Sequence, residues 1–332
     1  MITICVDAMG GDEPTEVVLE GIEKALEADA DIRVLVAGNE EFVVPFCEAH
    51  ERAEALVTTE VIGMEEHPAD AVKAKRDSSI VRGCAAIREG KADGFFSAGS
   101  TGAIFAAAAL GVGRIKGIKR PAIACAMPGP EGHQTVLLDM GANADVRPEM
   151  LVQFAHMGRA FAKVALGLSD ARVALLSNGS EDTKGSEQVI AAHQALVEAG
   201  GDSWFAGNCE GADILAGRFD VIVTDGFTGN VALKTLEGTA KYILREVKAA
   251  VSVSKRAALG ALLLKPALKA VAAKLSGDEM GGAVLLGLKA PVFIGHGATS
   301  VEAVKNGTLA VADAVRGGLC DGIAEAISSA AE

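Results

Sequence analysis

Two periods of apolar residues alternate along the chain. Short unbroken apolar runs read as buried strands, and between them apolar residues recur every three or four positions, as on amphipathic helices. Ile2–Ala8 is the first such run, and a helical pattern follows from about Thr15 to Ala28. Further strands are predicted at Arg33–Ala37, Leu56–Ile62, Gly94–Ala98, Ala122–Met127, Thr135–Asp139, Arg172–Ser177, Trp204–Ala206 and Asp220–Thr224. Helices are predicted over Glu40–Arg52, near Ala69, and over Ser79–Glu89, Thr101–Leu110 and Pro148–Leu166, the last opened by a proline in its first turn. Strand following helix following strand implies an α/β fold, a mostly parallel sheet with helices on both faces. No linker rich in Pro, Ser or charge interrupts residues 1–332, so we read one continuous α/β unit.

The pattern changes within residues 240–277. From Val247 to Gly277 there is no Asp or Glu, while Lys248, Lys255, Arg256, Lys265, Lys269 and Lys274 punctuate the apolar stretches Ala257–Leu264 and Ala270–Ala273. Pro266 interrupts or restarts a helix there. We read a pair of amphipathic helices, a hairpin projecting from the α/β body.

Composition narrows the function. Half of the 332 residues are hydrophobic, enough for a sizeable core. The formal net charge of -13 argues against nucleic acid as a partner, and 4% aromatic residues leave little for base stacking. An anion would need a local basic site. The six cysteines are scattered without a C-x-x-C pair and read as small buried residues of a reducing compartment. Met1 leads directly into a strand with no signal-peptide pattern, and no stretch reaches the ~18 apolar residues of a membrane span, so a cytoplasmic location is expected.

In an open parallel sheet, ligands bind beyond the carboxyl ends of the strands. Five predicted ends carry Gly-rich or Asn-rich turns: Asp7-Ala-Met-Gly-Gly-Asp12, Ser97-Ala-Gly-Ser-Thr-Gly-Ala103, Asp139-Met-Gly-Ala-Asn-Ala-Asp145, Ser177-Asn-Gly-Ser-Glu-Asp-Thr-Lys-Gly185 and Asp225-Gly-Phe-Thr-Gly-Asn230. Gly10, Gly11, Gly99 and Gly102 allow close backbone approach to a ligand. Asp12, Ser97, Thr101, Asp139, Asn143 and Asn178 supply short polar groups, expected to gather at one edge. Helix N-termini beyond such turns favour an anion, and phosphate is the natural guest. Lys184, placed where a helix is about to start, suits a phosphate or a developing oxyanion, or is a solvated first-turn lysine. Asn230 suits a substrate hydrogen bond or a helix cap. His296 sits in a loop near a strand end, with a structural role as open as a catalytic one. No Walker A motif, no G-x-G-x-x-G after a strand, no H-E-x-x-H and no G-x-S-x-G elbow is present.

Taken together and in order, these turns resemble one family. With Gly207-Asn-Cys-Glu-Gly-Ala-Asp213, Asp225-Gly-Phe-Thr-Gly-Asn-Val-Ala-Leu-Lys234 and Gly281-Gly-Ala-Val-Leu-Leu-Gly287, they are similar to bacterial phosphate acyltransferases of phospholipid synthesis over nearly the whole chain. Two positions depart from the usual pattern, Ser100 where Asn is common and Ser177 where Leu or Ile often precedes Asn178.

The resemblance implies a fold like those of phosphotransacetylases and isocitrate dehydrogenase. It also implies transfer of a long-chain acyl group from acyl carrier protein to inorganic phosphate, with no nucleotide, metal or other cofactor. It further implies a homodimer in peripheral contact with the cytoplasmic membrane. The family's active-site Lys and Asn fall on Lys184 and Asn230, and Asp225 or Asp139 is expected to orient the donors. The chemistry agrees: phosphate is already an anionic nucleophile and a thiolate leaves readily, so holding phosphate and stabilising an oxyanion are the main tasks.

The basic segment is then expected either to pack at a dimer interface or to touch anionic lipid, with Leu259, Leu262, Leu263 and Leu264 inserting beside Lys265 and Lys269. Its lysines would also suit acidic carrier protein. A phosphotransacetylase acting on acetyl-CoA is the alternative enzyme, although it needs a nucleotide-shaped pocket and no such tip. A decarboxylating dehydrogenase lacks its cluster of substrate arginines here. An inactive membrane scaffold would not need the full set of loops.

Overall fold

The computed structural model describes residues 1–251, 260, 262–265 and 281–330. Eleven strands among them form one sheet. They are β1 (Ile2–Asp7), β2 (Ile32–Gly38), β3 (Ala53–Val57), β4 (Gly94–Ser97), β5 (Ala122–Pro128), β6 (Gln134–Leu138), β7 (Val173–Leu176), β8 (Phe205–Cys209), β9 (Val221–Val223), β10 (Ala283–Leu286) and β11 (Val292–Ile294). Their order is β3-β2-β1-β4-β11-β10-β5-β6-β9-β7-β8.

Alternation along each strand builds two cores, one on each face. Ile4, Val6, Val34, Val36, Phe96 and Leu138 point to one side, and Cys5, Leu35, Ala37, Phe95 and Leu137 to the other. The first core is covered by α1 (Thr15–Ala28), α2 (Glu40–Ala49), α6 (Pro148–Leu166), α7 (Glu187–Trp204), α9 (Val301–Arg316) and α10 (Leu319–Ser329). The second is covered by α3 (Pro68–Ala74), α4 (Ser79–Arg88) and α5 (Thr101–Gly111). Helix α1 shows the logic: Val18, Ile22 and Ala25 are buried at helical spacing. Full burial of a Val or Ile contributes about 1.5–3 kcal/mol. Gly21 lets α9 approach, because a Cβ there would lie 2.5 Å from Val304 Cβ. A larger residue at Gly21 would force the two helices apart.

The expected fold class is thus found, with helices on both faces of a mostly parallel sheet. Three details differ. The predicted strand Leu56–Ile62 is instead Ala53–Val57, paired in register with Val34–Gly38. Arg52 pins the start of that strand by donating to the carbonyls of Leu26, Asp29 and Ile32. Beyond Val57 the chain leaves the sheet, and Thr59 donates from both N–H and hydroxyl to Asp77. The apolar pattern at Leu56–Ile62 thus spans the strand's end and a segment braced against α4.

Strand β10 was not expected from the apolar pattern, and of β11 only a strand end near His296 was. They fill the middle of the sheet, between β4 and β5.

The largest difference concerns direction. Strand β10 is antiparallel to both β11 and β5, and β5 is antiparallel to β6, while all other pairs are parallel. Three reversals leave β6, β9, β7 and β8 running opposite to β3, β2, β1, β4 and β11. The glycine-rich turns therefore do not gather at one edge, as the sequence reading expected. They form two groups at opposite edges of the sheet.

Helix α8 (Gly226–Val251) starts at the end of β9 and runs for 26 residues, with only Gly226 and Gly229 buried. Leu233 and Leu236 pack partly against the second core, while Phe227, Val231, Tyr242 and Ile243 are exposed. Of the segment expected to form a hairpin, 240–251 continues α8, and Leu262–Lys265 is helical and exposed. Leu259, Lys269 and, apart from Gly260, the rest of that segment lie outside the described residues. No described helix is long and apolar enough to cross a membrane. The six cysteines are all free, and three of them, Cys5, Cys84 and Cys209, are buried.

Candidate active site

The first edge gathers the ends of β1, β4 and β11. Asp7, the last residue of β1, is buried, and its Oδ1 accepts from the N–H groups of Met9 and Gly10 at 2.9 and 3.1 Å. Its Oδ2 accepts from Ser97 Oγ at 2.6 Å, and Ser97 Oγ in turn accepts from Gly99 N–H at 3.0 Å. Burial pushes the Asp7 carboxyl above its ordinary range, against the pull of these donors. A Cβ on Gly10 would lie 2.4 Å from Asp7 Oδ2 and 2.8 Å from Gly99 N, so only glycine fits. The loop after β11 joins the group, because Asp12 N–H donates to the Gly297 carbonyl at 2.8 Å. Asp12, Thr101 and His296 are exposed on this edge, and Gly11 and Gly102 lie between them in the same loops. Thr299 is buried there, and its hydroxyl has no protein partner.

The second edge gathers the ends of β6, β7, β8 and β9. Asp139 Oδ1 accepts from the N–H groups of Ile123, Gly141 and Ala142, and its Oδ2 from Asn143 N–H and Nδ2 at 2.8 Å each. Burial raises its pKa, against those same donors. Asn143 Nδ2 also donates to the Pro121 carbonyl at 2.8 Å, so this side chain braces the loop. Asp225 accepts from Thr228 N–H and Oγ1 at 2.8 Å each, which caps the first turn of α8. Gly229 on that turn lies so close to the Asp139 carbonyl that a Cβ would sit 1.9 Å from its oxygen. Asn230 follows, exposed, against Gly141.

The loop after β7 carries Asn178 and Lys184, both exposed. Lys184 N–H donates to the Glu181 carbonyl at 3.0 Å, closing a turn. Gln188 in the first turn of α7 donates to the Val146 carbonyl and ties this loop to the one after β6. Ser177, where the loop begins, has a buried hydroxyl without a protein partner.

The sites found by sequence thus fall into two kinds. Ser97, Asp139, Asn143 and Asp225 spend their polar atoms on holding loops, as Asp7 does beside them. Asn178, Lys184 and Asn230 remain open to a ligand at the second edge, and Asp12, Thr101 and His296 at the first.

Comparison with known proteins decides the family. A family model described as "Fatty acid synthesis protein" matches residues 2–321. A phosphate acyltransferase from Limosilactobacillus reuteri (strain DSM 20016) is 46% identical over 308 residues, covering 91% of this chain and 90% of its own. The chain belongs to the phosphate acyltransferase family. A second relative of that name, from Bacillus pumilus, is 43% identical over 301 residues, covering 91% of this chain and 90% of its own. The fold is shared beyond this family. A phosphotransacetylase from Streptococcus pyogenes superposes with a TM-score of 0.62 at 18% identity, covering 95% of this chain and 94% of its own. A branched-chain phosphotransacylase from Enterococcus faecalis V583 gives 0.60 at 15%, covering 95% and 99%.

Sequence reasoning singled out neither Asp7 nor Thr299 and Ser177. The signal for Asp7 was present, as a carboxylate closing an apolar run and so bound to be buried. Nothing in the sequence marks the two hydroxyls, whose lack of partners is a property of packing.

Proposed function

We propose that this member of the family moves a long-chain fatty acyl group from acyl carrier protein to inorganic phosphate, giving acyl phosphate for phospholipid synthesis. The observation that carries the reading is the second edge, where Lys184 and Asn178 are exposed on a loop tied by Gln188, and Asn230 is exposed on a turn capped by Asp225. A phosphate oxygen attacks the thioester carbonyl carbon, and the new C–O bond sends the carbonyl electrons to oxygen. Collapse of that tetrahedral species breaks the C–S bond, and the thiolate takes the proton that phosphate gives up. Lys184 holds phosphate and offsets its charge. Asn230 donates to phosphate or to the oxyanion, and Asn178 is a further donor. Asp225 positions Asn230 by capping α8, and Asp139 holds the neighbouring loop.

Lys184→Ala is expected to lower kcat/KM by roughly 10²–10³-fold, the scale of a lost oxyanion donor, with an unchanged melting midpoint. Full turnover in that variant would discard the lysine's role. Incubation with phosphate and either palmitoyl-carrier protein or acetyl-CoA separates the two enzymes considered, and acyl phosphate from acetyl-CoA alone would favour a phosphotransacetylase.

The same reading includes a homodimer. The exposed apolar side chains of α8 favour a partner, since an unpartnered 26-residue helix gains little from its own chain. A homodimer also gives the first edge a place: we take the first edge of one copy to face the second edge of the other, so that Gly10, Gly99 and Thr101 approach the same substrate. Sedimentation at twice the chain mass, lost in Tyr242→Glu/Ile243→Glu, is the expected outcome.

Peripheral membrane contact belongs to the reading as well. Leu262, Leu263 and Leu264 are 65%, 78% and 58% exposed, next to Lys265, on a chain of net charge -13. Consecutive exposed leucines beside a cation fit an anionic lipid surface.

A further inference from the structure

The turn that presents Lys184 is held from beneath by a buried pair that the reaction itself does not require. Asn208, near the end of β8, and His193, on the second turn of α7, are 5% and 6% exposed. Asn208 Nδ2 donates to the Glu181 carbonyl at 2.9 Å. Lys184 N–H donates to that same carbonyl, so one oxygen joins the lysine's backbone to Asn208. With its amide nitrogen spent on Glu181, Asn208 turns its Oδ1 to His193 Nδ1, 2.9 Å away. An amide oxygen only accepts, so His193 donates from Nδ1. The other ring nitrogen faces Asp182 Oδ1 at 3.5 Å, in the same turn. Phe205 packs edge-on against the imidazole and fixes its plane.

From this geometry we infer that Asn208, oriented by His193, is a positioning residue for phosphate: it sets where Lys184 stands by holding the Glu181 carbonyl. The inference rests on the reading of Lys184 given above. Two features make the clamp more than a core contact. The loop it holds is otherwise exposed from Ser180 to Lys184, so few other contacts fix the lysine's backbone. The clamp also joins three elements, β8, α7 and the loop after β7, at the carbonyl from which the Lys184 turn starts. A lysine reaches its ligand through a flexible stem, so its backbone must be anchored if its charge is to sit in one place.

Asn208→Asp separates the two bonds. A carboxylate still accepts from His193 but cannot donate to the Glu181 carbonyl. We expect KM for phosphate to rise on the order of tenfold, with kcat less affected and the KM for acyl carrier protein unchanged. His193→Phe fills the same space without a donor and should shift phosphate KM in the same direction, while His193→Gln, which restores an amide donor, should recover part of the loss. Adding Asn208→Asp to Lys184→Ala should change phosphate KM no further, because the two act through one group.

The assay is acyl phosphate formation from palmitoyl-carrier protein at varied phosphate, with melting midpoints measured on each variant. Wild-type phosphate KM in both Asn208→Asp and His193→Phe, beside an impaired Lys184→Ala, overturns the clamp and leaves the lysine reading standing. A lowered melting midpoint with unaltered phosphate KM overturns it equally, as a purely structural role. Full activity in Lys184→Ala removes the reading on which the clamp depends.

Discussion

A buried carboxylate with several donors serves this protein twice, and both times it shapes a loop. Asp7 and Asp139 draw N–H groups inward, so the glycines and amides around them turn outward. Burial raises both pKa values despite those bonds. The folded protein therefore holds these protons more tightly than the unfolded chain does. From the ordinary value of 3.8 upward through the raised one, stability falls as pH rises. Asp7→Asn removes one such group, and its amide can donate to Ser97 Oγ where the carboxylate accepted. Its melting midpoint is expected to decline less than that of the wild type across that window in a thermal-denaturation series. An equally steep decline would place the effect on other groups. The sequence ranks Asp139, Asn143 and Asn178 alike as short polar residues at a strand end. Only their partners separate the brace from the residue left facing solvent, and those partners, Ile123 N–H for Asp139 and the Pro121 carbonyl for Asn143, are distant in sequence from the residues they bind.

The first turn of α8 concentrates the next prediction. Its Asp225 cap and its Gly229 contact both fix Asn230 against the loop after β6. Gly229→Ala places a methyl group where the Asp139 carbonyl oxygen already sits, and backbone must move. Overpacking of this kind costs about 1–3 kcal/mol. The melting midpoint should fall, and turnover should fall further than stability alone explains, because Asn230 moves with the turn. Asp225→Ala removes only the cap, at about 1 kcal/mol. Chemical denaturation of the two variants, with turnover measured on the folded fraction, distinguishes them. At this scale most of the fold was legible, since periods of two and of 3.6 mark long elements clearly. Strand β3 was misplaced because the apolar run and the paired run overlap only at Leu56 and Val57. Strands β10 and β11 were not placed as strands, because no helical pattern separates them as it separates most other strands.

Across the molecule, the three antiparallel pairings decide where chemistry can occur. Strand direction is set by long-range pairing, which local pattern does not encode, so the split into two edges was invisible beforehand. The exposed leucines at Leu262–Leu264 lead to a prediction at this scale too. Leu262→Glu/Leu263→Glu should abolish co-sedimentation with vesicles containing anionic lipid, leaving turnover on soluble substrate intact. Full burial of one leucine is worth about 1.5–3 kcal/mol, so losing two should be decisive. Raised salt should weaken wild-type binding through Lys265 and its basic neighbours. Unchanged sedimentation in the double variant would move the contact elsewhere.

Strands β10 and β11 have a consequence for the making of the protein. The centre of the sheet comes from residues 283–294, near the end of the chain, yet it joins strands that begin at residues 94 and 122. Until that late segment leaves the ribosome, β4 and β5 each present an unpaired edge, and two half-sheets wait for the piece that joins them. Open edges invite pairing with other chains. A chain ending at residue 280 should accumulate as aggregate rather than as a smaller soluble protein. Separate supply of the missing C-terminal piece during refolding should recover soluble material, so this late segment acts as the keystone for strands synthesised long before it.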